Sequence, residues 1–447
     1  MNVAQLTNAA NDALNHQDQA LFRKLTANLH PNDVAKFLQN YEIAEIVSLL
    51  RCLDLRRTAK IFSFIVSFTQ MQLVTVMTDK ELSKLLTYLA PDKRTDVFNF
   101  LPLARQQSLL SSLTYAQRED LSRLAQYHEG TVGAVMTSEY AALSPSIMVK
   151  EAIEQLRLDA LNKETIYQIY LIDEQKKIIG TLSLRELILA QPEVKLADIM
   201  WKKVIAIEVD KPKKEAIQKI ADYDLLVLPV TDSLGKILGI VTYDNAMDVV
   251  EELATESFHK AGGTVSNIGF SIRDAAVSLL YRKRIFWLLL LIFFNVFSGA
   301  GIAYFEDTIS QYVALVFFLP LVIGSGGNAG SQSATLIVRA LATGELKLRD
   351  WTYMLSKEIL VALLLGITMA IAVSFLGFFR GGLQISIVVS LAMVAVVIMS
   401  SILGMCLPFI LYRFKIDPAT ASTPLVTSIA DLNGVLIYFF IATKILI

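Results

Sequence analysis

Cysteine is nearly absent. The two present, Cys52 and Cys406, fall in different parts of the chain, which argues against a disulfide framework. Histidine is scarce too: His16, His30, His128 and His259 are scattered, with no pair at ligand spacing, which argues against a zinc or haem site. The formal net charge is −1 with no basic stripe, so no nucleic-acid partner is expected. There is no Gly-x-x-x-x-Gly-Lys-Ser/Thr loop, hence no sign of a phosphate-hydrolysing enzyme. The start, Met1-Asn2-Val3-Ala4-Gln5-Leu6, lacks a basic stretch followed by an apolar run, so no cleavable secretory signal is expected and the first part of the chain should stay in the cytoplasm. The last absence is local: charge is ordinary in residues 1–280 and sparse in 285–447.

What replaces charge there is apolar length. Stretches near 285–305, 311–340, 353–379, 384–412 and 422–446 each reach the roughly 20 residues that span a bilayer. Arg282, Lys283 and Arg284 precede the first. Arg339, Lys347, Arg349 and Lys357 bracket the second loop, and Arg413 and Lys415 lie in the fourth. By the positive-inside rule the N-terminus is cytoplasmic and, with five spans, the C-terminus lies outside the cell (inner) membrane.

Residues 320–345 depart from simple hydrophobicity. Asn328, Ser331, Gln332, Ser333 and Thr335 lie at membrane depth, where lipid offers no hydrogen bonds, so they must face protein or a wet cavity. Gly324, Gly326, Gly327 and Gly330 permit close backbone approach and are expected to break simple helix geometry. Such a segment is how a membrane protein builds a path for a solute.

Asp431 gives that path a sign. A carboxylate about ten residues into the last span is costly and points to a cation site, unless Asn433 or a backbone amide satisfies it. Thr420, Ser422, Thr423, Thr427 and Asn433 offer neutral oxygens, and Pro418 and Pro424 would bend the start of the span. No Cys, His or Met stands beside Asp431, so soft metals are disfavoured. One carboxylate among neutral oxygens suits an ion held through its waters. Magnesium fits, since it dehydrates reluctantly; manganese, cobalt and calcium stay open. Glu358 and Asp350 read as interfacial groups at the cytoplasmic end of the third span.

In the soluble part, residues 20–128 read as short amphipathic helices begun by Pro or Asp, as at Pro31 and Pro91, and suggest a helical superhelix. Residues 130–255 repeat internally. Ala134-Val135-Met136-Thr137 returns as Asp198-Ile199-Met200, and Leu171-Ile172-Asp173 with Lys177-Ile178-Ile179-Gly180 returns as Val230-Thr231-Asp232 with Lys236-Ile237-Leu238-Gly239. The pair resembles the tandem cystathionine-β-synthase-type (CBS) regulatory repeat. Residues 244–275 form an acidic helical connector. Along it Asp244 with Asp248, and Asp248 with Glu252, are like-charge i,i+4 pairs that cost a few tenths of a kcal/mol unless a cation bridges them. Asp92 and Asp96 share a helix face elsewhere, and Asp224 lies in Asp222-Tyr223-Asp224-Leu225.

Taken in order, these pieces resemble the MgtE family of magnesium channels and transporters. The most specific matches are Pro320 through Glu345, with its Gly-Gly-Asn-Ala-Gly-x-Gln core, and Asp431 followed by Gly434 and Ile437-Tyr438-Phe439. The resemblance implies a multidomain membrane protein. Its parts are an α-helical superhelix N domain at 1–129, tandem α/β CBS repeats at 130–195 and 196–243, a connecting plug helix at 244–275 and a five-span α-helical transmembrane pore domain at 276–447. It further implies a homodimer in the lipid bilayer. The pore would lie between second and fifth spans, with Asp431 holding hydrated Mg2+ and Asn328, Thr335 and Gly327 along the path. Cytoplasmic Mg2+ would shut it by bridging sensor carboxylates, for which Asp92, Asp96, Asp224, Asp244, Asp248, Glu252 and Glu256 are the candidates. The sensor departs from the common pattern at Asn245, Leu253 and Ser257, which should weaken magnesium binding or shift its threshold. ATP is an implied regulatory ligand: Arg185 would meet phosphate and Glu186 ribose, with Tyr167 or Tyr170 stacking on adenine.

Two other functions bear on the same residues. An exporter or exchanger coupled to Na+ or H+ needs a second deep membrane carboxylate. A receptor reporting nucleotide through the CBS pair leaves the polar 324–335 segment unexplained.

Overall fold

The amphipathic segments of the first part close into ten helices among the described residues, from α1 (Val3–Leu14) to α10 (Tyr115–Leu124), including α8 (Pro91–Asn99). Their starts follow the sequence signals. Pro31 and Pro91 occupy first turns, the Asp54 side chain accepts from the Arg57 amide, and Thr78 with Glu81 forms a reciprocal capping box. From the third helix on, each packs on the one two places further along: Pro31–Leu38 on Leu55–Ser63, that on Asp79–Tyr88, that in turn on Leu103–Ser112. This is the neighbour rule of a superhelix. The buried Arg94 ties successive turns by donating to the carbonyls of Leu86 (2.8 Å) and Leu89 (2.9 Å). The computed structural model describes residues 3–15, 19–160, 163–263, 276–421 and 423–447. His16, Ser422 and the connector beyond 263 lie outside them. The chain forms two compact units, Met1–Glu252 and Leu253–Ile447.

The internal repeat is two copies of one three-stranded sheet. In the first, β1 (Ala141–Leu143) runs parallel to β2 (Gln168–Ile172), which pairs antiparallel with β3 (Ile178–Ser183). The second repeats this with β4 (Ile207–Glu208), β5 (Val227–Thr231) and β6 (Ile237–Thr242). The register slips at the same place in both, between Leu171 and Ile172 and between Val230 and Thr231. The turn is the same too. Asp173 Oδ1 accepts from the amides of Gln175 and Lys177, and Asp232 Oδ1 from those of Leu234 and Lys236. The left-handed position is Lys176 (φ 63°) in one copy and Gly235 (φ 83°) in the other.

The recurrent Met and Gly have a joint explanation. A methyl on Gly180 would strike Met200 Sδ at 2.5 Å, and one on Gly239 would strike the Thr137 carbonyl at 2.6 Å and Met136 Sδ at 2.9 Å. Each repeat thus inserts its methionine against the glycine of the other. Met136 packs in the cluster of Leu228, Val230 and Val241, and Met200 against that of Ile169, Leu171 and Leu182.

Helix α11 (Val149–Asp159), α12 (Leu184–Leu189), α13 (Leu196–Ile199) and α14 (Lys213–Asp222) complete the repeats, and α15 (Tyr243–Ala261) is the connector. The second unit holds α16 (Val277–Tyr304), α17 (Glu306–Gln311), α18 (Ala314–Ala342), α19 (Trp351–Arg413) and α20 (Thr423–Leu446). Four of these are long and apolar enough to cross a membrane, among the described residues. At 63 residues α19 would be about 95 Å long if straight, some three bilayer cores. It folds back at Gly382 (φ 76°, ψ −174°). Ser386 Oγ donates to the Ser374 carbonyl (2.7 Å) and Ser390 Oγ to that of Ala370 (3.4 Å), and Gly366 abuts Val394, the descending and ascending register of an antiparallel hairpin. Five apolar limbs result. The first helix begins at Val277, eight residues before its apolar stretch, and carries Arg282, Lys283 and Arg284 in its first turns. Hydropathy marks where lipid begins, not where the helix does.

Candidate functional site

Glycine does not break α18, contrary to expectation. The helix runs unbroken from Ala314 to Ala342 through all four glycines. Three of them serve packing instead, while a methyl on Gly324 would meet nothing within 4 Å. A methyl on Gly326 would stand 2.5 Å from Val396 Cγ1, one on Gly330 2.7 Å from the Ser400 carbonyl, and Gly404 offers no room against the Gly330 carbonyl. Here α18 and the second limb of α19 touch backbone to backbone, as small residues allow between membrane helices.

A second face of α18 meets α20. The Gly327 position opens on Asp431: a methyl there would lie 3.3 Å from Asp431 Oδ1 and 3.0 Å from Thr427 Cγ2. One turn on, the hydroxyls of Ser331 and Thr427 share a hydrogen bond of 3.0 Å. Asp431 is half-buried, the ninth residue of α20, and no side chain among the described residues bonds to it. Asn433, the suggested structural partner, donates to the Ile429 carbonyl (2.8 Å) instead. Thr335 Oγ1 turns back to the Ser331 carbonyl (2.8 Å). Asn328, Gln332 and Thr335, at i, i+4 and i+7, are exposed on one polar face of α18. Thr420 ends a 3-10 turn that begins at Pro418 and is capped by Asp417.

Glu358, the eighth residue of α19, is half-buried, near Ser333 of α18 and Ser401 on the second limb of α19. The sequence placed it near a helix start, and only the hairpin at Gly382 brings Ser401 to it. Asp350 caps the preceding turn through the Lys347 amide (2.9 Å).

In the first unit several acids on and near α8 influence one another's charge, although among the described residues no three of them stand close enough to hold a metal ion together. Asp92 is only 8% exposed, and burial pushes its carboxyl up, with Lys93 opposing and Asp244 adding to the rise. Asp96 is pushed up to about 7 by burial, against the pull of Lys93. Two members were not foreseen. Glu164 is pushed up to about 7 by burial and by Asp92, Asp244 and Glu139, and burial also raises Glu139. The Glu164 amide donates to the Glu139 carbonyl (2.8 Å), which sets the two side by side. Both sit in loops without helical periodicity, so no spacing announces them. Asp224 is exposed in left-handed backbone (φ 49°), and no contact ties it to this group among the described residues.

The connector carboxylates already have cations. Lys93 Nζ stands 2.9 Å from Asp248 Oδ2, and Lys213 Nζ 2.6 Å from Glu252 Oε2. In the second unit Lys260 Nζ lies 2.8 Å from Glu256 Oε1 and 2.6 Å from Asp417 Oδ2. At two of the departures noted in the sequence the side chain bonds to the backbone. Asn245 Nδ2 donates to the Val135 carbonyl (3.4 Å), which a carboxylate cannot do, and Ser257 Oγ bonds back to the Leu253 carbonyl (2.8 Å).

The nucleotide residues divide. Tyr167 is 66% exposed and Arg185 is exposed, both open to a ligand. Tyr170 is not: at 1% exposure it belongs to the apolar cluster of Val227, Ile237 and Ile240, while its neighbours Ile169 and Leu171 are buried in another, so both faces of β2 are covered. Burial opposes ionisation of Glu186, yet hydrogen bonds from Ser183 and from Trp201 Nε1 (2.6 Å) hold it below the usual range. The exposed Trp201 indole is an aromatic surface beside it that the sequence reading passed over.

Comparison with known proteins covers all of these parts. The divalent cation transporter model of the MgtE family matches residues 319–441, that of the MgtE intracellular N domain residues 29–130, and that of the CBS domain residues 132–193 and 196–252. A magnesium transporter MgtE of Thermus thermophilus is 35% identical over 439 residues, 97% of each chain. One from Bacillus subtilis is 33% identical over 335 residues, 75% of this chain and 74% of that one. The solved cytosolic domain of the Mg2+ channel MgtE in complex with ATP is 32% identical, with a TM-score of 0.52, and covers 54% of this chain and 98% of its own. With its soluble and membrane parts both matched in order, the chain belongs to the MgtE family of divalent cation transporters.

Proposed function

We propose that the chain is a magnesium channel that admits hydrated Mg2+ to the cytoplasm down its electrochemical gradient. The observation that carries this is Asp431: a carboxylate inside an apolar helix, without a side-chain partner among the described residues, facing the gap left by Gly327 and beside the Ser331–Thr427 hydroxyl pair. An unpaired carboxylate at membrane depth is expensive unless it meets a cation. The membrane potential supplies the drive, about 2.3 kcal/mol per charge per 100 mV and about twice that for a divalent ion.

The exposed face of Asn328, Gln332 and Thr335 favours a homodimer in the cell membrane, with this face turned to the path and the C-terminus outside. Cytoplasmic Mg2+ acts as a closing signal at Asp92, Asp96, Asp244 and Asp248, with the charges of Glu139 and Glu164 nearby. ATP binds the first repeat through Tyr167 and Arg185, as the ATP complex of the related cytosolic domain suggests. The test is flux into proteoliposomes for magnesium, calcium, manganese and cobalt, with and without magnesium on the cytoplasmic side. Magnesium preference that Asp431→Asn removes is the expected result; flux indifferent to Asp431 refutes the assignment.

One observation favours a second reading. Glu358, between Ser333 and Ser401, is the further membrane carboxylate that a Na+- or H+-coupled exchanger requires. Magnesium flux driven uphill by an imposed Na+ or pH gradient, and lost in Glu358→Gln, would establish it in place of a channel.

A further inference from the structure

The connector carries one continuous ionic row. Asp244, Asp248, Glu252, Glu256 and Lys260 follow at intervals of four, on one face of α15. Four acids in a row repel one another, and such a helix wants counter-cations. In the first unit they come from outside the helix: Lys93 of α8 on Asp248 at 2.9 Å and Lys213 of α14 on Glu252 at 2.6 Å. In the second unit Lys260 is held by both Glu256 and Asp417 at 2.8 and 2.6 Å. These ammonium groups are not loose surface charges. Side-chain exposure is 28% for Lys93, 11% for Lys213 and 24% for Lys260, so each has given up much of its water and depends on its carboxylate.

We propose that Lys93, Lys213 and Lys260 are the built-in counter-cations of the connector helix, holding it in place without a bound divalent ion. The proposal deepens the gating part of the function above and rests on α15 being a gate. An ammonium within hydrogen-bonding distance of a carboxylate occupies the position a divalent ion would take. Two cations that close repel strongly, so magnesium must displace the lysine to bind. The sensor of this chain therefore starts partly closed and responds weakly to magnesium. Asn245 and Ser257, whose side chains bond to the backbone, fit the same design.

The test uses the full chain, wild type beside Lys93→Met, Lys213→Met, the double variant and the charge-keeping Lys93→Arg. Two readouts are taken in EDTA and across a magnesium series: channel current, and hydrogen exchange of residues 243–261 in detergent. Pairs of this exposure contribute roughly two- to fivefold each to an equilibrium, on the order of tenfold together. In EDTA the wild type should be partly closed and its connector protected. The double variant should open and exchange on the order of tenfold more, regain closure with magnesium, and be matched to wild type by neither Met variant, while Lys93→Arg behaves as wild type. Equal protection in EDTA for wild type and double variant overturns the proposal. Connector protection that depends on the lysines, together with no current in any chain, would instead refute the channel reading alone.

Discussion

Gly404 lies against the carbonyl of Gly330 with no room for a methyl group on either. The second limb of α19 and the helix bearing the polar face are thereby fixed in register. Gly404→Ala should force them apart, at about 1–3 kcal/mol. The expected outcome is a melting temperature several degrees lower in detergent and reduced flux. Gly299→Ala in α16, which would meet nothing within 4 Å, should leave both unchanged.

Gly327 faces the Asp431 carboxylate, and its replacement tests the path without removing the charge. Gly327→Val would place carbons where a methyl already lies 3.3 Å from Asp431 Oδ1. Magnesium-dependent growth of cells lacking other uptake routes should be lost, while the amount of folded protein stays near wild type. Asp431→Asn should give the same growth defect.

Asp96 and Glu164 are both pushed up to about 7, well above the ordinary carboxylate range. The folded chain therefore binds more protons than the unfolded chain between about pH 4 and 7, and stability falls as pH rises through that window. Protons also compete with a divalent ion for the same oxygens. In EDTA, the melting temperature of the purified chain should be lower at pH 8 than at pH 6, and added magnesium should recover more of it at pH 8. Asp96→Asn with Glu164→Gln should flatten both responses.

Tyr170 and Tyr167 are three residues apart and should behave in opposite ways. The Tyr170 hydroxyl is buried without a hydrogen-bond partner, so Tyr170→Phe should be neutral or stabilising by up to about 1–3 kcal/mol, with ATP binding unchanged. Tyr167→Ala should weaken ATP binding several-fold in calorimetry and leave the melting temperature alone.

What the sequence showed clearly was written in periodicity or in chemistry out of place. The doubled Met and Gly motifs announced the repeats, apolar length announced the five limbs, and Asp431 stood out because a carboxylate is so rare in such a run. What it hid depended on the approach of distant segments. Glu139 and Glu164 are ordinary loop acids until the fold sets them beside Asp92. Ser401 is 43 positions from Glu358 and comes near it only through the turn at Gly382. The glycines of α18 were misread as helix breakers, since a sequence does not distinguish a glycine that bends a helix from one that admits a neighbour. The acidic connector looked like an empty cation site because Lys93 lies 155 positions from Asp248.

The exchange of Met136 and Met200 between the two sheets has a consequence for synthesis. The first sheet has all its strands by Ser183, yet its glycine cleft stays unfilled until Met200 has left the ribosome, and Met136 waits for Gly239. Neither copy can mature alone as the chain emerges. The two complete each other late and together, and a chain cut between them should yield two aggregation-prone halves instead of two small domains.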